Sequence, residues 1–385
     1  MALHFNEAEF QDRKARLTTR MREEKLDAVL LFAQESMYWL TGYDSFGFCF
    51  FQVLVMKADG SMTLLTRSPD VRQARQTSTI DNVLVWIDRM NADPTVDLRN
   101  LLSDLDLLGM RIGVEYDTHG MTGRIARLLD AQLNNFCEVI DASYIVSELR
   151  LIKSPAEIAR VREAAALSDA AFDVALPLIS AGRNEAEILS AMQASVLAQG
   201  GDYAANDFIV GSGEDALLCR SKSGRRVLGE SDQLTLEWAG ASAHYHAPML
   251  RTVLIGEASA RHRELFAAAL EGMRAIEGAL RPGHSFGEVF DAHAKVLDDR
   301  GLTRQRFNKC GYSVGARFAP SWMEHQMFLA GNPLEIQPNM TVFAHMIIMD
   351  SERQTAMTLG QTYLTTETAP EALSRHPLDL IVVGN

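Results

Sequence analysis

The stretch LTLEWAGASAHYHAPMLRT, from Leu234 to Thr252, decides the fold of the second half of the chain. Apolar residues on either side of a short run of small residues predict two strands joined by a tight turn. Side chains two residues apart lie on the same face of a strand. Four residues of the second strand are therefore predicted to share a face: His244, His246, Pro248 and Leu250. Pairing of the strands is expected to place Glu237 near His246.

Upstream of this hairpin, segments typical of strands alternate with segments typical of helices. An apolar run over Leu26–Ala33 predicts a buried strand, Ser36–Tyr43 is expected to be a loop, and Cys49–Thr66 predicts a β-hairpin. The strand RIGVEY, from Arg111 to Tyr116, is followed by a helical pattern. This alternation predicts an α/β domain over residues 1–150.

The pattern changes after residue 150 and predicts a second domain over residues 151–385. Ser154–Glu157 combines an N-cap serine, a proline at the first helical position and an acid in the first turn, which predicts a long helix to about Leu178. Further helices are predicted at Ala258–Leu280 and Ser285–Arg300, and the remaining apolar segments are predicted to be strands.

Composition narrows the classes of function. The chain has 385 residues, of which 47% are hydrophobic and 23% charged, and a formal charge of −13, with no run of basic residues. This acidic balance speaks against a nucleic-acid partner, and no apolar run approaches the roughly 20 residues of a membrane span. The polar N-terminus does not resemble a signal peptide. Four widely spaced cysteines without a Cys-x-x-Cys pair indicate free thiols and predict a cytoplasmic protein.

Several motifs, taken in order, resemble one known family. They are YWLTGY at 38–43, LRLIKSPAEIARVREAA at 149–165, MLRTVLIG at 249–256, GYSVGA at 311–316 and IQPNMTVFAHMI at 336–347. Their order and spacing are similar to those of the pita-bread fold, which aminopeptidase P, prolidase, methionine aminopeptidase and creatinase share. The resemblance covers the whole chain. It implies an α/β N-terminal domain followed by an α+β pita-bread, creatinase-like C-terminal domain.

The resemblance also bears on metal binding, because the peptidases of this fold hold two divalent metals with two Asp, one His and two Glu. The matching positions carry other residue types here: Glu237, Pro248, Tyr312, His345, and Gly360 or, one residue on, Gln361. Proline and glycine side chains cannot ligate a metal, and two close cations need several carboxylates. We therefore expect no metal and no other cofactor. A zinc site built from His244, His246 and His345 remains the alternative.

Creatinase is a metal-independent member of this family, and two motifs resemble the ectoine hydrolases, which open a cyclic amidine ring. They are Tyr-His-x-Pro-Met-x-Arg-Thr, starting at Tyr245, and Gly-Tyr-Ser-x-Gly, starting at Gly311. The loop Ala319–Glu324 matches the corresponding ectoine-hydrolase loop only in part. The resemblance implies a metal-independent hydrolase that cleaves a C–N bond of a small zwitterionic nitrogen compound, either ectoine-like or creatine-like.

The predicted mechanism uses acid, base and cation in one site. Glu237 attacks an electrophilic carbon or directs water onto it, and His246 or His345 protonates the leaving nitrogen. Arg220 is predicted to bind the substrate carboxylate, and Tyr312 to donate a hydrogen bond to the developing charge. The other residues predicted to contact the substrate are His244, Glu324, Phe46 and Phe48. By resemblance to creatinase, the aromatic loop Tyr43–Phe51 is expected to reach the partner subunit's site in a homodimer.

Other functions stay open at this stage. A true Xaa-Pro dipeptidase or aminopeptidase would require an atypical metal site. A lyase acting on a related zwitterion would use the same acid–base groups, and a catalytically inactive binding module would use none. A nucleophilic Cys219 would require a base and a lowered thiol pKa.

Overall fold

Two units make up the chain, Met1–Arg150 and Leu151–Asn385. The computed structural model describes residues 3–220 and 224–384. Unit 1 is an α/β domain, and unit 2 combines long antiparallel strands with helices packed on one face. The expected fold class, α/β followed by α+β, is confirmed.

A mixed sheet with strand order β4-β3-β2-β1-β5-β6 forms the centre of unit 1. Strand β1 pairs in parallel with β5 and antiparallel with β2, and β2 and β3 form the predicted hairpin. The helices are α1 (Glu7–Glu23), α2 (Gln34–Thr41), α3 (Val71–Thr77), α4 (Pro94–Asp104), α5 (Gly123–Leu133) and α6 (Ile145–Leu149). The strands are β1 (Ala28–Leu31), β2 (Val53–Lys57), β3 (Met62–Thr66), β4 (Asn82–Val85), β5 (Arg111–Val114) and β6 (Glu138–Asp141).

Helix α2 occupies most of the segment Ser36–Tyr43, so the prediction of a loop there was wrong. The helix is short, and tertiary contacts rather than sequence period stabilise it. The buried carboxylate of Glu115 accepts hydrogen bonds from the backbone N–H groups of Phe32 and Ala33 and from the Ser36 hydroxyl. These bonds satisfy donors that would otherwise be buried without a partner at the start of the helix.

Unit 2 is built on a sheet with strand order β10-β11-β12-β9-β8-β7, to which β13 and β14 add by pairing with β12 and β9. Its helices are α7 (Pro155–Ala175), α8 (Glu185–Ala198), α9 (Ala260–Ala279) and α10 (Phe286–Asp299). Its strands are β7 (Ile209–Ser212), β8 (Asp232–Ser242), β9 (Tyr245–Ile255), β10 (Gly311–Ser313), β11 (Thr341–Asp350), β12 (Thr355–Leu364), β13 (Glu371–Ala372) and β14 (Ile381–Val383).

Helix α7 begins at the predicted cap and lies closely on the central hairpin. The Ser154 hydroxyl accepts a hydrogen bond from the Glu157 backbone N–H, and the Glu157 side chain accepts one from the Ser154 N–H. A side chain at Gly240 on β8 would place its Cβ 2.2 Å from the carbonyl oxygen of Ala164, so glycine permits this close approach. The Trp238 indole donates to the Ser168 carbonyl and fixes the helix on the strand.

A two-residue turn at Ala243 and His244, both with positive φ, sets the register of β8 and β9. Residue 241 therefore pairs with His246, and Glu237 pairs with Leu250. Four residues of an antiparallel strand span about 13 Å, so His246 lies too far along the hairpin to contact Glu237. The expectation that these two side chains are neighbours was wrong.

Within residues 3–220 and 224–384, no helix is long and apolar enough to cross a membrane.

Candidate active site

A row of paired residues crosses the sheet of unit 2 and places two of the predicted site residues on one face. Glu237 on β8 pairs with Leu250 on β9, Leu250 pairs with Gly360 on β12, and Gly360 pairs with His345 on β11. Directly paired residues of neighbouring strands present their side chains on the same face. Three strand spacings, about 14 Å in a flat sheet, separate the Cα atoms of Glu237 and His345.

The helices of unit 2 cover the opposite face. Trp238, next to Glu237, stacks on Phe172 of α7 with the ring centroids 5.0 Å apart. Met346, next to His345, lies against Gly272 of α9. The alternation of side chains along each strand therefore turns Glu237 and His345 away from the helices.

A small cavity of about 90 Å³ lies on this open face. Four of the predicted site residues line it: Glu237, Arg220, Tyr312 and His345. Its other lining residues were not predicted to contact substrate: Asn206, Cys219, Phe307, Lys309, Met323 and Ile347. Strand parity could have indicated Ile347, which is two residues from His345 on β11, whereas the loop residues carry no periodic signal.

Glu237 is the carboxyl group of this cavity. Burial raises its pKa to about 7, and the nearby positive charge of Arg220 acts in the opposite direction. In the part of the chain that the structure describes, its carboxylate accepts no hydrogen bond. A carboxyl that titrates near neutral pH without a protein partner is suited to take and return a proton.

Cys219 lies in the same cavity but is not activated. Burial, reinforced by the charge of Glu237, raises the pKa of the Cys219 thiol to about 11. The thiolate is the nucleophilic form, and it is scarce at neutral pH with such a value. The nearby charge of Arg220 acts in the opposite direction but does not outweigh burial, so the Cys219 thiol is not activated as a nucleophile.

Tyr312 is held by a second aromatic residue. Its hydroxyl accepts a hydrogen bond from the Trp322 indole N–H at 2.9 Å. Because that lone pair is occupied, the hydroxyl proton of Tyr312 is free to be donated elsewhere. Burial and the charge of Glu237 raise the pKa of Tyr312 well above its usual value, so the phenol stays protonated.

His345 is a neutral imidazole. Burial lowers its pKa to about 3, with further contributions from His293 and from the charge of Lys309. Its side chain is 5% exposed, and its Nδ1 atom is buried without a hydrogen-bond partner among the described residues. A buried polar atom left in this state requires a ligand or water to satisfy it.

The structure places His246 and His244 outside the cavity. The Nε2 atom of His246 accepts the Ala205 N–H at 3.0 Å, and its Nδ1 lies 3.4 Å from the Gly315 carbonyl oxygen. Burial lowers the pKa of His246 to about 3. His244 stands in the hairpin turn and stacks on Phe318, with the ring centroids 4.2 Å apart. Both side chains are committed to contacts within the protein.

Three further predicted residues also lie elsewhere. Glu324 is buried, and its carboxylate lies 3.4 Å from the Nζ atom of Lys153 in an ion pair that is almost fully enclosed. Phe46 and Phe48 belong to unit 1, and Phe46 is 80% exposed. None of the three is among the residues that line the cavity.

Comparison with known proteins places the chain in a family. Residues 159–367 match the model of metallopeptidase family M24, and residues 13–152 match the creatinase/prolidase N-terminal domain. The chain belongs to metallopeptidase family M24. It is accordingly a hydrolase with the pita-bread fold, as the order of the sequence motifs predicted.

Relatives within family M24 span the full length of the chain. An ectoine hydrolase from Halomonas elongata is 25% identical over 401 residues, covering 99% of each protein. An uncharacterised hydrolase/peptidase from Sinorhizobium fredii, y4tM, is 26% identical over 391 residues, also covering 99% of each. The structure of an Xaa-Pro dipeptidase from Bacillus anthracis superposes with a TM-score of 0.83 at 21% identity, over 97% of this chain and 100% of the dipeptidase.

Family M24 is described as a family of metallopeptidases. The residues at its metal-ligand positions therefore decide whether this chain can hold a two-metal centre. Of the positions matched to ligands, Pro248 and Gly360 offer no donor atom on their side chains. A Cβ added at Gly360 would lie 2.9 Å from the Ala344 carbonyl oxygen and 2.9 Å from the His345 Cβ, so a ligating side chain has no room there. Glu237, Tyr312 and His345 remain, and the alternative Gln361 uses its amide group in contacts with Tyr363 and Arg251. A donor set with a single carboxylate does not fit two hard cations that need bridging carboxylates.

The alternative zinc site, built from three histidines, is not supported by the structure either. His246, His244 and His345 lie apart, on the hairpin, in its turn and on β11. Among the residues that the structure describes, no group of three or more His, Cys, Asp or Glu side chains is arranged to hold a metal ion. The three histidines therefore do not form the predicted imidazole cluster.

Proposed function

We propose that this chain is a metal-independent hydrolase that cleaves a C–N bond of a small zwitterionic nitrogen compound, of the ectoine-like cyclic amidine or creatine-like kind. The observation that carries the proposal is the state of Glu237. Burial raises the pKa of its carboxyl group to about 7; the group lines a small cavity, accepts no hydrogen bond from the described residues, and lies near Arg220. The positions that hold metal ligands in the peptidases carry Pro248 and Gly360 here.

In this proposal Glu237 performs both proton transfers. Near pH 7 about half of the molecules carry the carboxylate, which takes a proton from a water molecule as that water attacks the electrophilic carbon. The resulting carboxylic acid returns the proton to the nitrogen as the C–N bond breaks. Arg220 favours the ionised form of Glu237 and contacts the substrate near the reacting carbon.

His345 and Tyr312 act as hydrogen-bonding groups. An imidazole with a pKa of about 3 is neutral at pH 7 and carries no spare proton for the leaving nitrogen, which is why Glu237 is assigned that step. The Tyr312 hydroxyl donates to the negative charge that develops on the reacting group. The Trp322 N–H, which donates to the Tyr312 oxygen, orients that hydroxyl.

The relatives support the class of substrate. An ectoine hydrolase aligns with this chain from end to end at 25% identity, and its substrate is a small zwitterion. The dipeptidases among the structural neighbours are 17 to 22% identical to this chain, and this similarity shows a shared fold alone.

The proposal extends to assembly and location. By analogy with creatinase, the chain forms a homodimer in which the aromatic loop Tyr43–Phe51 covers the partner subunit's cavity. The exposure of Phe46 at 80% and Phe50 at 53% is consistent with such a contact. The cysteines at positions 49, 137, 219 and 310 are all free thiols, which fits a reducing compartment such as the cytoplasm.

The test is an NMR time course in the presence of a chelator. EDTA-treated protein is incubated in separate samples with ectoine, with creatine and with an Xaa-Pro dipeptide. Metal-free turnover of ectoine or creatine is the expected result. Cleavage of the dipeptide alone, and only after Mn²⁺ or Zn²⁺ is restored, would replace the proposal with an Xaa-Pro dipeptidase. Formation of an unsaturated product without uptake of water would identify a lyase.

A further inference from the structure

Lys309 is a cation of the cavity that the mechanism does not use. It lies in the loop before β10 and is partly buried. Among the described residues, its Nζ atom has one hydrogen-bond contact, the Met327 Sδ atom at 3.9 Å, and no carboxylate partner. Thioether sulfur is a weak acceptor. A partly desolvated ammonium without an anion is unfavourable, so this position favours a negatively charged ligand group.

The two cations of the cavity act on different groups. Arg220 is the charge that lowers the pKa of Glu237 against the effect of burial. Lys309 lies near His345, because the His345 backbone N–H donates to the carbonyl oxygen of Cys310, the residue after Lys309, at 2.9 Å. Glu237 lies three strands away from His345 in the sheet, so Lys309 belongs to the end of the cavity away from the reacting carboxyl group.

The cavity therefore offers an ammonium group at the end near His345, and Glu237 with Arg220 at the other. Met323 and Ile347 also line it and provide apolar surface for the carbon skeleton of a ligand.

We propose that Lys309 binds a carboxylate group of the substrate, so that the substrate is a small monocarboxylate whose C–N group faces Glu237. This inference rests on the proposed function for the reacting end and adds the group that is recognised at the other end. It also moves carboxylate recognition to Lys309 from Arg220, to which the mechanism predicted from the sequence assigned it. Arg220 then acts on the reacting carboxyl group of Glu237, whose pKa it lowers.

The test measures binding and not turnover. Propionate and its neutral isostere propionamide are titrated into the full-length protein, and affinities are measured by ligand-observed NMR at pH 7. Lys309→Met keeps the length of the side chain and removes its charge. Lys295→Met is the matched control, because Lys295 is an exposed lysine of the same unit that pairs only with Asp299 in the part of the chain described. Thermal unfolding checks that both variants are folded.

We expect the wild type to bind propionate at least tenfold more tightly than propionamide. Lys309→Met is expected to lose at least tenfold in affinity for propionate and to leave the affinity for propionamide unchanged, while Lys295→Met behaves as wild type. Equal affinities for the two probes, undetectable propionate binding, or full propionate affinity in Lys309→Met would each overturn the inference. Failure of the proposed function is seen separately, as absence of metal-free turnover with these binding results intact.

Discussion

Replacing Glu237 with glutamine is expected to stabilise the protein at alkaline pH while abolishing turnover. Burial raises the pKa of Glu237 from an ordinary value of 4.5 to about 7 in the folded protein. The folded state thus holds the proton more tightly than the unfolded chain does. The stability that this group contributes is complete below about pH 4.5 and is lost as the pH rises through about 7.

The size of the effect follows from the two pKa values. Each pH unit between them corresponds to about 1.4 kcal/mol, so ionising Glu237 in the folded protein costs about 3 kcal/mol above pH 8. Glutamine has nearly the same shape as the protonated acid and avoids this cost. The free energies of unfolding of wild type and Glu237→Gln are therefore expected to coincide near pH 4.5 and to differ by about 3 kcal/mol at pH 8.5.

Urea unfolding between pH 4.5 and 8.5 measures the difference directly and requires no substrate. Glu257→Gln is the control, because Glu257 is an exposed glutamate of the same unit. That variant is expected to follow the wild type at every pH. Curves for wild type and Glu237→Gln that stay parallel from pH 4.5 to 8.5 would refute the raised pKa and, with it, the assignment of both proton transfers to Glu237.

Other predictions concern activity, metal content and unit 1. For the C–N substrate, kcat/KM should rise with pH and level off above about 7, since the ionised form of Glu237 is the base; a flat pH–rate profile would contradict this role. Trp322→Phe removes the donor to the Tyr312 hydroxyl and should lower kcat by roughly tenfold with KM little changed; a rise in KM at constant kcat would show that Trp322 only shapes the cavity. Dialysis against EDTA should leave the rate unchanged and no stoichiometric metal by elemental analysis, and a rate that returns only with added Mn²⁺ or Zn²⁺ would argue the opposite. Glu115→Ala leaves three donors without an acceptor and should lower the free energy of unfolding by roughly 2–4 kcal/mol with turnover retained, to be checked by urea unfolding and a rate assay.

The sequence predicted the fold well because its signals were local and mutually consistent. The capping box at Ser154 and the alternation in the hairpin each have one physical interpretation, and the structure follows both. The exception in unit 1 is α2, whose eight residues carry little periodic signal. Its N-terminal N–H donors bind the carboxylate of Glu115, which lies about 80 residues further along the chain. The residues of the helix alone could therefore not predict it.

The site was predictable where side chains follow strand parity, and at Arg220, where the resemblance to a family supplied the position. Glu237 and His345 lie on one face because their strands pair through β9 and β12, and the order of motifs anticipated that arrangement. The position of His246 was not predictable, because an Ala-His turn with positive φ at both residues is not a common turn sequence. A different turn length would have changed every cross-strand neighbour.

Lys309 was missed for a different reason. It lies in a loop between α10 and β10, where the sequence shows neither period nor motif. The role proposed for Lys309 depends on which described residues surround its ammonium group in the folded chain. The lack of a carboxylate partner among the described residues is a property of three-dimensional arrangement, and no pattern of neighbouring residues along the chain encodes it.

Gly360 limits the routes by which this protein can change. Any side chain there meets the backbone of β11 and the Cβ of His345 at 2.9 Å, so a carboxylate cannot be introduced without moving one strand relative to another. A carboxylate at position 360 would therefore require a shift of the backbone as well as a mutation, even with an aspartate already present at position 248. Substitutions at Gly360 are accordingly expected to lower the free energy of unfolding, whereas the loop residues that line the cavity can be exchanged without moving a strand of the sheet.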